Sequence, residues 1–280
     1  MKYARKAPTS LNKIMGNYKV PILPLNENPV VVDCGVGEGY FFWFYNFFFS
    51  KYIAIEASIE NINLLKEKIK KNNYTNYEIL HNACYSRDDI ELKLKTILNK
   101  DILEKGFTPN NNSLFYEIGQ KNKNWKKPLS EKDLYSQKVK SISLDNVFKL
   151  LKLEKIDFLK VDIEGAEYDF LMNKNLHNVR FLSIEAPQKI KRNKELLKYI
   201  KQEGFIEIFN NGKEFSFANE REKINEIYFI DFPTLYFSKL KNDIYISDNE
   251  ISSYIREQTN NKFTTKIYNK LIRLISKKQI

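Results

Sequence analysis

Residues 29–39 read Pro-Val-Val-Val-Asp-Cys-Gly-Val-Gly-Glu-Gly, and they give the strongest indication of the fold class. Its three consecutive valines are typical of a strand that is buried on both faces of a parallel sheet. Asp33 ends this strand, and the glycines that follow at every second position are Gly35, Gly37 and Gly39. A strand that enters a glycine turn and then a helix lets bare backbone approach a ligand. The alternative is a tight turn with only a structural role.

The glycine spacing narrows the choice of ligand. The dinucleotide-binding pattern G-x-G-x-x-G would require glycine at position 40, where this chain has Tyr40. An acid at the strand end followed by G-x-G-x-G suits a ligand with a cationic group rather than a pyrophosphate. S-adenosylmethionine (SAM), which carries an ammonium and a sulfonium group, is such a ligand.

Composition excludes several classes of protein. The 280 residues suffice for one large domain, or one domain with an appendage. Two cysteines cannot form a disulfide framework, and two histidines make a catalytic zinc site unexpected, so we predict no metal site and a cytoplasmic location. We expect no signal peptide at the amino terminus. The net charge of +11 favours an acidic partner, or it is only the basic surface of a lysine-rich chain.

Hydrophobic patterns predict alternating strands and helices after the glycine loop. Strands are expected at 52–56, 77–81, 156–162 and 179–185, and helices at 58–71, 143–151 and 194–202. The aromatic run 40–49 is expected to form a helix buried against the sheet. Segments 205–209 and 227–230 are expected to form a final antiparallel pair. This order is typical of an open, mostly parallel sheet with helices on both faces.

Three further segments lie outside this alternation. Residues 1–28 are interpreted as a basic lead-in to a domain spanning 29–232. Residues 88–140 begin with an alternating pattern at 90–94 that is typical of an edge strand. The polar stretch that follows makes this segment an insertion, interpreted as a lid or substrate-binding segment, with disorder as the alternative. The extension 233–280 contains a basic amphipathic pattern at 262–278, which is typical of a helix on an anionic membrane surface. A terminal helix docked on the domain would give the same pattern.

Ligands of open parallel sheets bind at the carboxyl ends of the strands, where strand order reverses. Glu56 ends the second strand, 21 residues after Gly35, and its carboxylate suits the hydroxyls of a ribose. The glycine loop would meet the methionine portion of the ligand, and Asn82 and Ala83 would flank the adenine. For Glu56, the alternative is a surface acid that precedes a helix.

The strand expected at 156–162 and the residues after it contain the candidate catalytic groups. Lys160, Asp162 and Glu164 share one face if the strand continues, and Asp162 falls at its carboxyl end. Asp162 is expected to bind the ligand ammonium or to orient an acceptor hydroxyl, while Glu164, Glu167 or Lys160 serves as base. The alternative is that Glu164 and Glu167 only stabilise the first turn of a helix.

Several motifs together resemble the FkbM family of SAM-dependent methyltransferases. They are Val31-Val-Asp33-x-Gly35-x-Gly37-x-Gly39, Ile53-Ala-Ile-Glu56-Ala, Asn82-Ala83, Ser143-Leu-Asp145, Lys160-Val-Asp-Ile-Glu-Gly-Ala-Glu167 and Ser183-Ile-Glu185. The resemblance covers residues 28–232. It implies a Rossmann-like class I methyltransferase fold with a seven-stranded sheet whose last strand is antiparallel, followed here by a helical tail. The family pattern Gly-Ala-Asn-x-Gly is replaced by residues 35–39, Gly-Val-Gly-Glu-Gly.

The resemblance also implies methylation of hydroxyl groups on sugars and other natural products. We therefore predict an O-methyltransferase that uses SAM and acts on a sugar hydroxyl in a surface glycan or lipid-linked saccharide. Its expected partners are a saccharide or glycolipid acceptor and, through 262–280, the inner membrane face. An RNA or DNA methyltransferase is the first alternative, suggested only by charge. A binding protein that retains the fold without catalysis is the second.

Overall fold

The computed structural model describes residues 19–23, 27–37, 39, 41, 49–71, 74–97, 112–115, 128, 130–222 and 228–231. The chain divides into two compact units, Tyr18–Phe229 and a second made of Met1–Asn17 with Ile230–Ile280. Most of the predicted helix at 40–49, most of the lead-in and all of the extension 233–280 lie outside the described residues. Among the described helices, none is both long and apolar enough to cross a membrane.

The strands, in chain order, are β1 Lys19–Ile22, β2 Val30–Cys34, β3 Lys51–Glu56, β4 Tyr77–His81, β5 Ala83–Cys84, β6 Glu91–Ile97, β7 Asn112–Ser113, β8 Leu134–Ile142, β9 Ile156–Val161, β10 Val179–Glu185, β11 Phe205–Asn210, β12 Glu214–Asn219 and β13 Tyr228–Asp231. The α-helices are α1 Ile59–Lys71, α2 Leu144–Leu150, α3 Glu167–Leu171 and α4 Lys191–Gln202. A 3₁₀ turn occupies Glu131–Asp133.

Seven strands form the main sheet, in the order β11-β12-β10-β9-β2-β3-β4. The four pairs from β10 to β4 are parallel, whereas β12 runs antiparallel to both of its neighbours. The mainly parallel class I methyltransferase fold is thus confirmed, with its last strand antiparallel. From β2 the chain proceeds outward to β3 and β4 on one side, and from β9 to β10 on the other, where β12 lies between β10 and the edge strand β11. The switch point therefore lies between β2 and β9, where open α/β sheets bind ligands.

The central strands explain why the sheet is stable. Every residue of β9 is buried, and Ile156, Leu159 and Val161 join a core cluster with side chains of β2, β3 and β10. The strand also contains two buried charged residues, Asp157 and Lys160, and the Asp157 carboxylate accepts from Val30 N at 2.8 Å and pairs with Arg180 at 2.9 Å. A charge in a core strand is tolerated because its oxygens are paired and hydrogen-bonded.

One predicted strand pairing was wrong. The partner of β11 is β12, which follows the turn at Asn211 and Gly212, and not the predicted strand near 227–230. The strand β13 does exist, but it is not part of the seven-stranded sheet. All six residues of β12 are buried between β10 and β11, including Glu214 and Asn219. Because its sequence mixes polar and apolar residues, the hydrophobic pattern did not predict this buried strand.

Strands of the predicted insertion form a second sheet together with β5, in the order β5-β8-β6-β7. Strand β6 pairs antiparallel with β8 over seven residue pairs, from Glu91 opposite Lys140 to Ile97 opposite Leu134. Leu94 and Val139 form a small core with Ala83. The strand predicted at 90–94 is confirmed as β6, which extends to Ile97. The proposed limits of the insertion and of the domains remain predictions.

Candidate active site

The three predicted glycines all have positive φ angles, but they serve different purposes. A Cβ at Gly35 would lie 1.8 Å from the Asp162 carbonyl oxygen, and one at Gly39 would lie 2.6 Å from a Leu65 methyl group. These two glycines let the loop pack against β9 and α1. Among the described residues, a Cβ at Gly37 would meet no atom within 4 Å. Gly37 therefore borders open space on the side where a side chain would lie.

Glu56 lies where the sequence predicted, at the carboxyl end of β3 beside the glycine loop. Its Oε2 accepts from Gly37 N at 2.7 Å and its Oε1 accepts from Ser58 N at 2.8 Å. Burial raises the pKa of this carboxyl group, and hydrogen bonds from Ser58, Gly37, the Asn61 side chain and Ala57 oppose the increase. The carboxylate thus fastens the loop to the start of α1. The Ser58 hydroxyl caps that helix by accepting from Asn61 N.

Asp33 is fully buried below the glycine loop, so its predicted direct contact with the cofactor is not supported. It lies opposite Lys160 in the β2–β9 register, and Lys160 Nζ donates to its Oδ1 at 3.1 Å. The Tyr52 hydroxyl donates to its other oxygen. Burial raises the pKa of Asp33, while Lys160 and Tyr52 act in the opposite direction. Both oxygens of Asp33 therefore have internal partners.

Lys160 does not fit its predicted role as a base. Burial alone would lower the pKa of its ammonium group, but Asp33 and then Asp162 raise it above its usual value. An amine that stays protonated cannot accept a proton. Its Nζ lies 3.7 Å from Asp162 Oδ2 and 5.5 Å from the centre of the Phe41 ring. Lys160 instead connects the buried Asp33 to Asp162, which is partly exposed at the site.

The predicted shared face of Lys160, Asp162 and Glu164 is wrong beyond Asp162. Strand β9 ends at Val161, and Glu164 occupies a turn with φ of 54°. Loss of surrounding water, then the charges of Asp162 and Glu167, raise the pKa of Glu164 to about 7, although the residue as a whole is exposed. A carboxyl group with this pKa can exchange a proton near neutral pH.

Glu167 supports the turn from inside. It is the first residue of α3 and is 2% exposed, and its Oε1 accepts from Ile163 N at 3.0 Å and from Gly165 N at 3.2 Å. Burial raises its pKa to about 7 despite these hydrogen bonds. Of the two predicted interpretations of Glu167, the geometry favours the structural one.

Glu185, at the carboxyl end of β10, is a site residue that the sequence reasoning did not assign. Burial, then Asp162, raises the pKa of Glu185 to about 8, and Lys213 opposes this increase through an ion pair at 2.8 Å. Its place at the end of a strand next to β9 was a signal that could have identified it. Asp162, Glu164 and Glu185 thus influence one another electrostatically.

Residues of the predicted insertion contact the turn at 162–166 between β9 and α3, named here the acidic turn. Ser113 is buried, and its Oγ donates to the Glu164 carbonyl oxygen at 2.9 Å. Phe115, 40% exposed, has its ring beside Gly165 and 5.6 Å from the Arg192 guanidinium. Arg192 also donates to the Gly165 carbonyl oxygen at 3.2 Å. The segment 112–115 therefore fixes the turn that carries Glu164.

Asn82 and Ala83 follow β4, near Glu56, as the sequence predicted. Asn82 N donates to the Glu56 carbonyl oxygen at 3.1 Å, and the Asn82 side chain donates to the Lys140 carbonyl oxygen at 3.2 Å. Ala83 is buried in β5. Their contact with an adenine remains a prediction. Within the described residues, no three acidic, histidine or cysteine side chains are grouped to hold a metal ion.

Residues 33–207 match the methyltransferase FkbM domain. No curated protein matches the sequence. Among solved structures, an FkbM methyltransferase from Methylobacillus flagellatus KT is similar at 14% identity and a TM-score of 0.41. The match covers 69% of this chain and 44% of that one, so this chain matches less than half of that protein's length.

Two further structures have comparable similarity. An rRNA methylase from Streptococcus thermophilus is 12% identical, with a TM-score of 0.39, over 75% of this chain and 91% of that one. A putative methyltransferase from Streptococcus mutans, solved in complex with S-adenosylhomocysteine (SAH), is 11% identical, with a TM-score of 0.35. The match covers 68% of this chain and 86% of that one.

Proposed function

Because the chain belongs to the FkbM family of methyltransferases, we propose that it is a SAM-dependent O-methyltransferase that acts on a sugar hydroxyl. The observation that carries the proposal is the group of carboxylates at the carboxyl ends of β9 and β10, beside the glycine loop. Asp162, Glu164 and Glu185 lie there with raised pKa values at the two glutamates. SAM, when bound, supplies an electrophilic methyl group to an attacking oxygen.

The residues present fit this cofactor. The open space at Gly37 admits a ligand against bare backbone, and the partly exposed Asp162 carboxylate offers a partner for an ammonium group. The Lys160 ammonium group pairs with both the buried Asp33 and Asp162, and so fixes the position of the Asp162 carboxylate. Glu56 and the start of α1 form the ribose side of the proposed site. Gly35 and Gly39 contribute to cofactor binding indirectly, because both glycines shape the loop.

The acceptor step requires in-line attack by a hydroxyl and removal of its proton. Glu164 and Glu185 have pKa values of about 7 and about 8, close to the pH at which a general base works best. We assign the base to one of these two residues. Asp162 orients the cofactor, and Glu167 keeps the turn in shape.

Charge at the site favours a sugar over a nucleic acid. Asp162, together with Glu164 and Glu185 where they are ionised, repels a phosphate backbone, whereas carboxyl oxygens accept hydrogen bonds from sugar hydroxyls. The half-exposed Phe115 ring offers an apolar face next to the same turn. The net charge of +11 remains the argument for the RNA or DNA alternative.

Methyl transfer from isotope-labelled SAM tests the proposal. Saccharide fractions and total RNA are offered as acceptors to the full chain and to Glu164→Gln, Glu185→Gln and, as an exposed control, Asp145→Asn. We expect label in the saccharide, and a loss of at least about 100-fold in one of the two glutamate variants but not in the control. Label in RNA alone would establish the first alternative. SAH binding without methyl transfer to any acceptor would favour the second alternative, a binding protein without catalysis.

We further propose a cytoplasmic location with peripheral contact at the inner membrane face, because residues 262–278 combine six basic side chains with no acid. Co-sedimentation with anionic liposomes, comparing the full chain with a version ending at Asn261, tests this contact. We expect only the full chain to pellet at low salt. Equal pelleting of the two versions would contradict the proposed membrane contact through residues 262–278.

A further inference from the structure

The hairpin formed by β6 and β8 carries four lysines on one face of the second sheet. In the antiparallel register, Lys93 lies opposite Lys138, and Lys140 lies opposite Glu91. Residues directly opposite each other project from the same face of a sheet, as do residues two positions apart on one strand. The same alternation adds Lys95. We call these four lysines, at positions 93, 95, 138 and 140, the lysine face.

The two faces of this hairpin differ in burial. Leu94 and Val139 project from the opposite face, where they are buried in the small core described above. On the lysine face, the side chains of Lys138 and Lys140 are 68% and 71% exposed, and Lys93 is also exposed. The apolar face therefore holds the hairpin on the domain and leaves the lysine face in contact with solvent.

Acidic side chains neutralise only part of the charge on the lysine face. Glu91 Oε1 lies 2.8 Å from Lys138 Nζ, and Asp89 Oδ1 lies 3.7 Å from Lys140 Nζ. Among the described residues, Lys93 forms no ion pair with a carboxylate. Exposed ion pairs contribute at most about 1 kcal/mol, so an anionic ligand can replace these carboxylates. The lysine face thus retains positive charge that a ligand can use.

One edge of the lysine face adjoins the acidic turn. Ser113 of β7 lies opposite Lys95 of β6, so the two side chains project from the same face of the sheet. The Ser113 Oγ donates to the Glu164 carbonyl oxygen at 2.9 Å, which places the acidic turn against this edge. From Lys95 the lysines extend about 14 Å to Lys140, because each strand residue advances about 3.4 Å. A ligand lying along the lysine face would therefore have one end at the acidic turn.

We propose that the lysine face binds the acceptor and that the acceptor is an anionic saccharide, whose acidic groups pair with the lysines while a neutral hydroxyl reaches the acidic turn. This inference rests on the proposed function, which places methyl transfer at that turn. The lysine face attracts carboxylate, sulfate or phosphate groups, whereas Asp162 disfavours an anion at the turn itself. A saccharide with acidic groups on only some of its sugars meets both requirements. A nucleic acid, which has a phosphate at every nucleotide, does not.

The chain offers a matched set of lysines as a control. The test variant carries three glutamines at the exposed members of the lysine face: Lys93→Gln, Lys138→Gln and Lys140→Gln. Lys95 stays unchanged because it is half-buried. The control variant carries three glutamines at exposed lysines in the second half of α1: Lys66→Gln, Lys70→Gln and Lys71→Gln. Both variants lose three positive charges, so an effect of net charge alone is the same in both. Thermal unfolding first establishes that both variants are folded.

The experiment is titration of the three proteins, at one fixed low salt concentration, with four probes. They are a hyaluronan oligosaccharide, which has a carboxylate on every second sugar, a neutral chitin oligosaccharide of the same length, an oligouridylate with the same number of charges, and phosphatidylglycerol vesicles. We expect the unmodified chain to bind hyaluronan more tightly than chitin or oligouridylate. The test variant should bind hyaluronan about three- to tenfold more weakly, and the control variant about twofold more weakly at most. Both variants should keep the SAH affinity of the unmodified chain.

Several results would overturn this inference while leaving the cofactor site in place. They are equal losses of hyaluronan affinity in the two variants, or no binding of hyaluronan to the unmodified chain. Tighter binding of oligouridylate than of hyaluronan, lost in the test variant, would assign the lysine face to a nucleic acid instead. A loss confined to vesicle binding in the test variant would assign it to a membrane. Absence of SAH binding to the unmodified, folded chain would contradict the proposed function itself, whatever the lysine face binds.

Discussion

Gly35 and Gly37 share a backbone conformation but differ in what surrounds them, and this difference can be measured. Alanine in a left-handed conformation costs about 1 kcal/mol at either position. At Gly35 the added Cβ must also displace the Asp162 carbonyl, which adds about 1–3 kcal/mol. We expect Gly35→Ala to lower the free energy of unfolding clearly more than Gly37→Ala. Chemical denaturation of both variants checks this, and equal losses would contradict the assignment.

Lys160 and Asp33 form a pair whose members depend on each other. Lys160→Met leaves a buried carboxylate without its cation, so we expect a loss of about 3–5 kcal/mol in the free energy of unfolding. The double variant Asp33→Asn with Lys160→Met removes both charges and should recover much of that loss. Denaturation of the two single variants and the double variant measures the coupling. Additive losses would mean that the ion pair does not couple these residues.

Sequence reasoning reached the residues of the site but not all of their roles. Asp33, Glu56 and Asp162 could be placed at one sheet edge because parallel strands align their carboxyl ends. The pairing of Asp33 with Lys160 could not be predicted, since 127 positions separate them. The φ of Glu164 depends on tertiary contacts, including the Ser113 hydroxyl, that no local pattern encodes.

At the scale of elements, the acidic turn between β9 and α3 should make stability depend on pH. Burial raises the pKa of Glu167 from 4.5 to about 7, so between these values the folded protein holds a proton that the unfolded chain has released. This stabilisation is complete below about pH 4.5 and is lost as pH rises through about 7. We expect unliganded protein to unfold more easily at pH 8 than at pH 6. Glu167→Gln should flatten the change, which denaturation at both pH values would show.

The segment 112–115 should control the order of the same turn. Ser113→Ala removes the hydrogen bond to the Glu164 carbonyl, for which we expect a loss of about 1 kcal/mol. Amide hydrogen exchange at residues 163–167 should accelerate in this variant. Ser136→Ala, at an exposed position of β8, serves as control. Unchanged exchange in the turn would mean that this segment does not hold it.

Long apolar runs made the central strands predictable, whereas β12 was missed. Its sequence, Glu-Phe-Ser-Phe-Ala-Asn, alternates polar and apolar residues as a half-exposed strand would, yet all six side chains are buried. Contacts with two neighbouring strands satisfy its polar groups, such as Ser216 with Ser183 at 2.8 Å. The Asn211-Gly212 pair before it is a hairpin signal that could have located the strand.

At the scale of the whole molecule, the sheet order explains why distant motifs meet. The reversal between β2 and β9 brings the glycine loop and Asp162 together, with Gly35 against the Asp162 carbonyl. The neighbouring strands add Glu56 on one side and Glu185 on the other. One edge of the sheet therefore carries both the proposed cofactor side and the proposed proton-accepting side of the reaction.

The most direct test of this account is calorimetric titration of the full chain with SAH, with NAD as the control ligand. We predict a dissociation constant of order micromolar, or about −8 kcal/mol, and no binding of NAD. Gly37→Ala and Asp162→Asn should each weaken SAH binding at least about tenfold, because they obstruct the open loop and remove the ammonium partner. A folded protein that does not bind SAH, or binds it equally well in both variants, would contradict the placement of the site between β2 and β9.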